Sequence, residues 1–378
     1  MTMKPQNSRM PWVDVMRLAA LMMVVAAHAV DIYNATPQSD PSAAMWGGVI
    51  GSAMRACVPL FAMMTGLLLL PSGDAVSKFY AKRIPRVAIP AVLWSVVYCL
   101  VPWFVGLAGG GAEVVQVFFP FEYAPSLELG DALRNVAKVP FTFGAYTTHM
   151  WYIYMLVGLY FVIPFMSKWM GDATLLRTFM VLWAVSLAVP YVEWLVGGEV
   201  LGECAWNRFG MLHYFGGFVG YMLLGKLLAE RPMQGSAWRT VALGIVLWVA
   251  GFLVTWSGQS AMAARYDYAE NPAMLELFWQ YCSPNVALMT IGVFIIVRRV
   301  NVSCQGTQRA LASFTRCSFG SYLVHYLFIG PFTMLFVPLG LPVPASVALI
   351  VLCVVISSWV TTAIIYRITG RAARYIVG

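Results

Sequence analysis

Long apolar segments recur from one end of the chain to the other, and they constrain its fold more than any other feature. Of the 378 residues, 60% are hydrophobic and 11% are charged, whereas about a quarter of the residues in a soluble domain are charged. About 20 apolar residues in a helix suffice to cross the hydrocarbon core of a bilayer. The sequence therefore predicts an all-α polytopic integral membrane bundle of about ten transmembrane helices, forming one domain over 1–378 with no soluble appended domain. The predicted helices are 12–31, 45–70, 87–107, 149–167, 175–196, 211–229, 239–257, 281–297, 317–338 and 345–366.

Basic and acidic residues separate between the loops on the two sides of this predicted bundle. Most lysines and arginines lie in the N-terminal segment with Lys4 and Arg9, and in 78–86, 168–177, 226–239, 298–316 and 367–374. Most acidic residues lie in 31–40, 113–131, 193–203 and 267–276. Because cytoplasmic loops are enriched in Lys and Arg, we expect both termini in the cytoplasm. The net charge of +8 is spread over helix ends rather than gathered on one face, which excludes nucleic-acid binding as a function.

Arg17 and His28 lie inside the first apolar segment, with ten residues between them. An eleven-residue step is about three helical turns, so both side chains point to roughly the same face, about 16 Å apart along the axis. Ionisable groups inside a membrane are costly and usually face an interior cavity or take part in chemistry. Asp14 precedes Arg17 by three residues and can pair with it. Asp31 follows His28 by three and either orients the imidazole or faces water. Since Asp14 and Arg17 interrupt the segment and no small-residue cleavage site follows, we expect it to remain as a helix.

Other polar residues fall in or beside apolar segments. Burial within the ninth predicted helix favours a functional role for His325, whereas position alone predicts that His149 and His213, at outer helix ends, are solvated. Arg55, inside the second segment, either binds a carboxylate, carbonyl or phosphate or extends to the membrane surface. Before the third predicted helix come Arg83 and Arg86, which either bind a phosphate near the start of that helix or only mark the cytoplasmic side.

Several familiar catalytic motifs are missing from the sequence. It contains no GxSxG elbow, P-loop, HExxH or DxD-type motif, and thus no evident serine nucleophile, ATP site or metal site. An enzyme of this composition would need an already activated donor and a histidine base. The seven cysteines show no metal-binding spacing; a disulfide between Cys204 and Cys282, in loops on the same predicted side, is one option.

Five elements in order resemble those of the acyltransferase 3 family of bacterial membrane proteins. The first is the Asp14–Arg17 pair with His28 eleven residues after Arg17, and the second has Thr65 where the family usually has serine. The five segments are 14–28, 58–66 (VPLFAMMTG), 83–86 (RIPR), 149–154 (HMWYIY) and 318–325 (SFGSYLVH). Residues 281–284 (YCSP) resemble a branch that contains the O-acetyltransferase of enterobacterial common antigen.

The resemblance implies a function as well as a fold. Members of the family move acyl groups, usually acetyl, from cytoplasmic acyl-CoA to hydroxyls of extracytoplasmic glycans or lipid-linked sugars. It implies a bacterial inner-membrane protein in contact with lipid, with acetyl-CoA as donor and no metal. The residues assigned in this way are His28, Arg17 and His325 for catalysis, Arg83 and Arg86 for acyl-CoA, Arg55, His149, Trp151 and Tyr322 for the acceptor or an oxyanion, and Asp14 and Asp31 for orientation.

Other functions would also use a polar membrane interior. A transporter or flippase of a lipid-linked sugar would move its substrate without consuming CoA. A non-enzymatic membrane assembly protein would tolerate replacement of His28 and Arg17. An unrelated family of membrane O-acyltransferases also has an intramembrane histidine, but its asparagine–histidine arrangement is not found in this sequence.

Overall fold

The computed structural model describes residues 10–34, 40–233, 235–266 and 271–378. These residues form α-helices and short 3-10 helices, and no β-strand occurs in them. Four charged residues that contributed to the predicted orientation lie outside the described ranges: Lys4, Arg9, Asp267 and Glu270. The cytoplasmic placement of the termini stays a prediction.

The described residues form eighteen α-helices, numbered in chain order. The first nine are α1 Pro11–Ala29, α2 Asp31–Asn34, α3 Pro41–Ala53, α4 Cys57–Leu69, α5 Val76–Leu107, α6 Ala112–Phe118, α7 Leu129–Lys138, α8 Trp151–Trp169 and α9 Ala173–Ser186. The others are α10 Val189–Val196, α11 Val219–Glu230, α12 Ala237–Ala263, α13 Pro272–Leu275, α14 Pro284–Val297, α15 Gln305–Val324, α16 Tyr326–Phe336, α17 Val343–Thr369 and α18 Ala373–Ile376.

Membrane-spanning length and apolar composition recur along the bundle. Within the described residues, eight helical segments are long and apolar enough to cross a membrane, and α15 with α16 forms a ninth candidate bent by 76°. The predicted all-α polytopic membrane bundle is thereby confirmed. The remaining predicted helix, 211–229, begins only at Val219, because the chain turns at Gly216 and Gly217 and the latter has a φ of +81°. Its 12 residues correspond to about 18 Å, shorter than the hydrocarbon core.

Two of the predicted helices are interrupted. Segment 45–70 is divided into α3 and α4 by a turn at 54–56, which contains Arg55. Segment 317–338 bends between α15 and α16 at His325. At this bend the Tyr98 hydroxyl donates to the carbonyl of Leu323 over 2.9 Å and lies close to the backbone amide of Leu327. A side chain inserted into the backbone hydrogen-bond ladder is an established cause of helix bending.

The third predicted helix starts earlier than expected. It begins at Val76 rather than near residue 87, so Arg83 and Arg86 lie within α5 and not ahead of it. The expectation that Arg86 sits near a helix start is therefore wrong, and the free N–H groups of that start are seven or more residues away. An apolar stretch marks only the membrane-embedded part of a helix, whereas α5 continues through the polar residues 77–83.

Close backbone contact fixes the short helix α11 against α4. A Cβ at Gly66 would lie 1.9 Å from the carbonyl oxygen of Met222, and one at Gly225 would lie 2.3 Å from that of Met63. Small residues allow such approach between membrane helices. The first helix, α1, packs against α4, α15 and α17. Cys204 and Cys282 are not bonded to each other.

Candidate active site

Three histidines distant in sequence meet inside the bundle. The ring centroid of His325 lies 5.7 Å from that of His28 and 5.3 Å from that of His149. Tyr326 connects the other side, with its ring stacked on His149 at 4.7 Å and edge-on to His28 at 5.5 Å. His149 and His325 are fully buried, whereas a quarter of the His28 side chain is exposed. His28 is therefore the member of the cluster that a bound molecule can reach.

Each histidine is placed by a different local structure. His28 is in the last turn of α1, where helical spacing brings its Nδ1 to 3.5 Å from a carboxylate oxygen of Asp31. His149 belongs to the 3-10 helix Ala145–Met150, and His325 lies at the bend between α15 and α16. The expectation of a solvated His149 is wrong, because its ring is enclosed by those of Tyr98, Tyr326 and His325, at centroid distances of 4.9, 4.7 and 5.3 Å. Phe119 is buried against Tyr146 and Tyr98. His213, by contrast, is exposed.

Hydrogen bonds define the protonation of the cluster. Nδ1 of His325 lies 2.5 Å from the carbonyl oxygen of Tyr322; since a carbonyl only accepts, this nitrogen carries the proton. Nε2 of His325 is therefore an acceptor, and it is buried without a hydrogen-bond partner in the described part of the chain. The Tyr322 hydroxyl is already engaged, because it donates to the carbonyl of His149. By the same reasoning Asp31 favours the proton on Nδ1 of His28, which leaves Nε2 as a base.

Arg17 lies deeper along α1 and is held by buried polar groups. Its guanidinium is 3.9 Å from a carboxylate oxygen of Asp14, which in turn accepts a 2.9 Å hydrogen bond from the Thr315 hydroxyl. The Asp14 side chain is 8% exposed and that of Arg17 is 23% exposed. The pair suggested by sequence is thus present, and it leaves part of the guanidinium accessible.

Tyrosines connect Arg17 with the two arginines of α5 and with the histidines. Tyr160 lies within electrostatic reach of Arg17, Arg83 and Arg86, and Tyr152 within reach of Arg17, Tyr160 and Tyr322. The ring of Tyr152 is 5.4 Å from that of Tyr322. Polar side chains therefore recur between α5 and the histidine cluster.

Arg83 lines a cavity of about 230 Å³ at the α5 end of this series. The cavity is formed by Leu68, Leu69, Pro71, Ser72, Gly73, Asp74, Phe79 and Arg83. Lys78 and Lys82 lie 3.6 and 3.8 Å from the Asp74 carboxylate. The Nε of Arg83 has no hydrogen-bond partner among the described residues, so its charge remains available. Arg86, one turn further along, is exposed.

A second group of aromatic and basic residues surrounds the turn between α3 and α4. The Arg55 guanidinium lies 4.0 Å from the ring centroid of Trp279 and 5.7 Å from that of Tyr281. Tyr281 is stacked on Trp151 at 5.6 Å with 21° between the ring planes. The Asp31 carboxylate, 3.5 Å from Nδ1 of His28, also lies within electrostatic range of Tyr281 and Tyr326.

Sequence reasoning missed most of the tyrosines and Thr315. Single aromatic residues in apolar segments are indistinguishable from core residues, and only their shared burial beside Arg17 or a histidine makes them informative.

Of the predicted site residues, the structure gathers His28, His149, His325, Tyr322 and Asp31 in one place, with Arg17 and Asp14 further along α1. Arg83 and Arg86 lie beyond Tyr160, and Arg55 and Trp151 line the aromatic group. Among the described residues no set of three His, Cys, Asp or Glu side chains could hold a metal ion.

Comparison with known proteins assigns the chain to a family. No curated protein and no solved structure matches it significantly. A family model described as an acyltransferase domain matches residues 10–363, which covers the histidine cluster, Arg17 and the α5 arginines. The match does not distinguish branches within the family, so the likeness of residues 281–284 to one branch stays a prediction. Its extent over nearly the whole bundle shows that this multi-pass membrane protein belongs to the acyltransferase 3 family and is an acyltransferase.

Proposed function

We propose that the protein is an O-acetyltransferase of the bacterial inner membrane. It would transfer the acetyl group of cytoplasmic acetyl-CoA to a hydroxyl of a glycan or lipid-linked sugar on the other side of the membrane, with His28 as the general base. The observation that carries the proposal is the cluster of three histidines inside the bundle, with the Arg17–Asp14 pair further along α1 and Tyr152 in ring contact with Tyr322 beside the cluster.

The donor would bind from the α5 end. CoA carries several phosphates, and guanidinium groups bind phosphate through paired N–H donors. Arg83 and Arg86 share a helical face, and Arg83 has an unpartnered Nε beside a cavity. The acetyl-pantetheine arm would then extend along Tyr160 and Arg17 towards the histidines. Arg17 would donate to the carbonyls of that arm, and its orientation is fixed by Asp14.

The transfer step needs one base and no protein nucleophile, because a thioester is already activated. Nε2 of His28 removes the proton of the acceptor hydroxyl as its oxygen attacks the thioester carbonyl carbon. The C–S bond then breaks, the sulfur leaves as the CoA thiolate, and that thiolate takes the proton from His28. The products are an acetyl ester and free CoA. Asp31 stabilises the protonated imidazole, and the fully buried His325 positions the ring of His28 by packing beside it.

Labelled acetyl-CoA tests the proposal directly. Membranes containing the protein should transfer label to cell-envelope glycans or lipids, which mass spectrometry would identify. His28→Ala should reduce the rate at least about 100-fold, since general-base assistance contributes about 10²–10⁴-fold. The exposed His213 provides a matched control, and His213→Ala should transfer at the normal rate. A folded His28→Ala protein with normal turnover would overturn the assignment of the base.

Donor docking has its own test. Arg83→Gln combined with Arg86→Gln should raise the KM for acetyl-CoA about 100- to 10,000-fold, because two charged hydrogen bonds are lost and each contributes about 1.5–3 kcal/mol. The KM for the acceptor should not change. Arg177 is also exposed and basic but lies on α9, so Arg177→Gln should leave both constants unaltered. An unchanged KM for acetyl-CoA in the double variant would refute phosphate binding at this position.

A further inference from the structure

Arg55 is a cation inside a membrane-spanning segment, and none of the carboxylates that the structure describes pairs with it. It lies in the turn between α3 and α4, inside a segment long and apolar enough to span a membrane. Its Nε is buried without a hydrogen-bond partner, and no carboxylate within the described ranges lies within 4.0 Å of it. Asp31, which like Arg55 acts electrostatically on Tyr281, is 3.5 Å from His28. An uncompensated guanidinium in a membrane interior usually has a functional counter-charge.

The aromatic neighbours fix Arg55 in place without neutralising it. Trp279 is buried, and its indole N–H donates over 2.8 Å to the hydroxyl of Ser52. The same ring lies 3.1 Å from where a Cβ at Gly51 would be, so it rests on the backbone of α3. A guanidinium over such a ring is attracted by the π-electrons but keeps its N–H donors at the edge for another ligand.

The surfaces next to Arg55 suit a sugar ring. Tyr281 and Trp151 form a stacked pair beside it, and aromatic faces pack against the apolar C–H faces of pyranoses. Asp31 lies within electrostatic range of Tyr281 in this wall and 3.5 Å from Nδ1 of His28. A molecule resting on the wall with an anionic group at Arg55 could therefore present a hydroxyl to His28.

We infer that the acetyl acceptor is anionic: a sugar whose carboxylate or phosphate binds Arg55 while its ring packs on Trp151 and Tyr281. This inference rests on the proposed function and specifies its acceptor. Arg55 is then the residue that selects charged over neutral acceptors. Because it lies in the turn between α3 and α4, no further turn of a helix separates its guanidinium from the ligand.

The charge of the product tests the inference. Membranes containing the wild-type protein are incubated with labelled acetyl-CoA, and the labelled product is applied to an anion exchanger. We expect retention. Carbodiimide amidation should abolish it if the anion is a carboxylate, and mild acid should abolish it if the anion is a glycosyl phosphate. A neutral labelled product would overturn this inference and leave the proposed function intact, whereas absence of any acetyl transfer would overturn the proposed function.

Variants connect that charge with Arg55. With the extracted acceptor at graded dilution, Arg55→Gln should raise the acceptor KM about 10- to 100-fold and leave the KM for acetyl-CoA unchanged. Arg55→Lys, which keeps the charge but loses the paired donors, should give an intermediate value. Arg239→Gln is the control, since Arg239 also lies over a tryptophan, at 5.5 Å, but is exposed. An Arg55→Gln protein with an unchanged acceptor KM would contradict the inference, and the charge of the wild-type product decides it even if that variant does not fold.

Discussion

The pair formed by His28 and Asp31 allows a quantitative prediction about catalysis. The imidazole Nδ1 and the carboxylate oxygen are 3.5 Å apart, and 42% of the Asp31 side chain is exposed. At that separation, two unit charges attract by about 1 kcal/mol in water and by about 5 kcal/mol at an effective dielectric constant of 20. Because Asp31 is so exposed, the lower limit applies, in agreement with the ~0.2–1 kcal/mol found for solvent-exposed ion pairs.

Asp31→Asn should therefore slow transfer only about fivefold, since 1 kcal/mol corresponds to about that factor. Replacing a fully buried carboxylate behind a catalytic histidine lowers the rate about 10⁴-fold instead. The size of the loss therefore distinguishes an exposed Asp31 from a buried one. The measurement is the single-turnover rate of labelled acetyl transfer at saturating acetyl-CoA. Asp131 provides the control, because it pairs with Arg134 at the same i,i+3 spacing outside the histidine cluster. Asp131→Asn should transfer at the wild-type rate.

Two results would refute this reasoning. An unchanged rate for Asp31→Asn would mean that the carboxylate does not act on His28 during the reaction. A loss above about 100-fold, with an unchanged melting temperature, would mean that Asp31 is desolvated when substrates are bound and that its full charge acts on the imidazole. Where Asp31→Asn loses rate, Asp31→Glu should recover part of it.

Two further predictions concern the structures that hold the site together. Tyr98→Phe removes the donor to the Leu323 carbonyl at the α15–α16 bend and should lower the free energy of unfolding by about 1–3 kcal/mol, because a buried carbonyl loses its partner. The hydroxyl of Tyr80 makes its hydrogen bond at an exposed position, so Tyr80→Phe should lower the melting temperature much less. Equal shifts in the two variants would contradict a special role for Tyr98. Gly225→Ala places a Cβ 2.3 Å from the carbonyl oxygen of Met63 and should destabilise the fold by about 1–3 kcal/mol. Gly158→Ala, with open space around its Cβ, should be neutral or stabilising by up to about 1 kcal/mol. Thermal unfolding in detergent that ranks the two alanine variants in the opposite order would refute backbone contact between α4 and α11.

Sequence reasoning reached those parts of the site that lie on one regular helix. Arg17, His28, Asp14 and Asp31 occupy or adjoin α1, and helical periodicity alone fixes which of them are neighbours. The apolar segments likewise predicted the class of fold, because the bilayer leaves few alternatives to helices that span it.

Features that depend on tertiary contacts could not be predicted in this way. The burial of His149 results from the packing of Tyr98, Tyr326 and His325 around it, and no local period in the sequence indicates these contacts. The bend at His325 depends on Tyr98, which is more than 200 residues away in the sequence. The start of α5 was missed because hydropathy reports the membrane-embedded length of a helix and not its polar extension.

The different origins of the three histidines have a consequence for how the protein acquires activity. Only His28 is carried by an ordinary helical turn; His149 is held in a six-residue 3-10 segment, and His325 sits where one helix gives way to another. Neither of the latter two can adopt its orientation in an isolated hairpin, since Tyr98 and Tyr326 must be packed on His149, and His28 and His149 on His325. Catalytic competence should thus appear only at the last stage of membrane assembly, when the C-terminal helices join those made first. A partly inserted chain would hold His28 in the membrane without the two partners that complete the cluster.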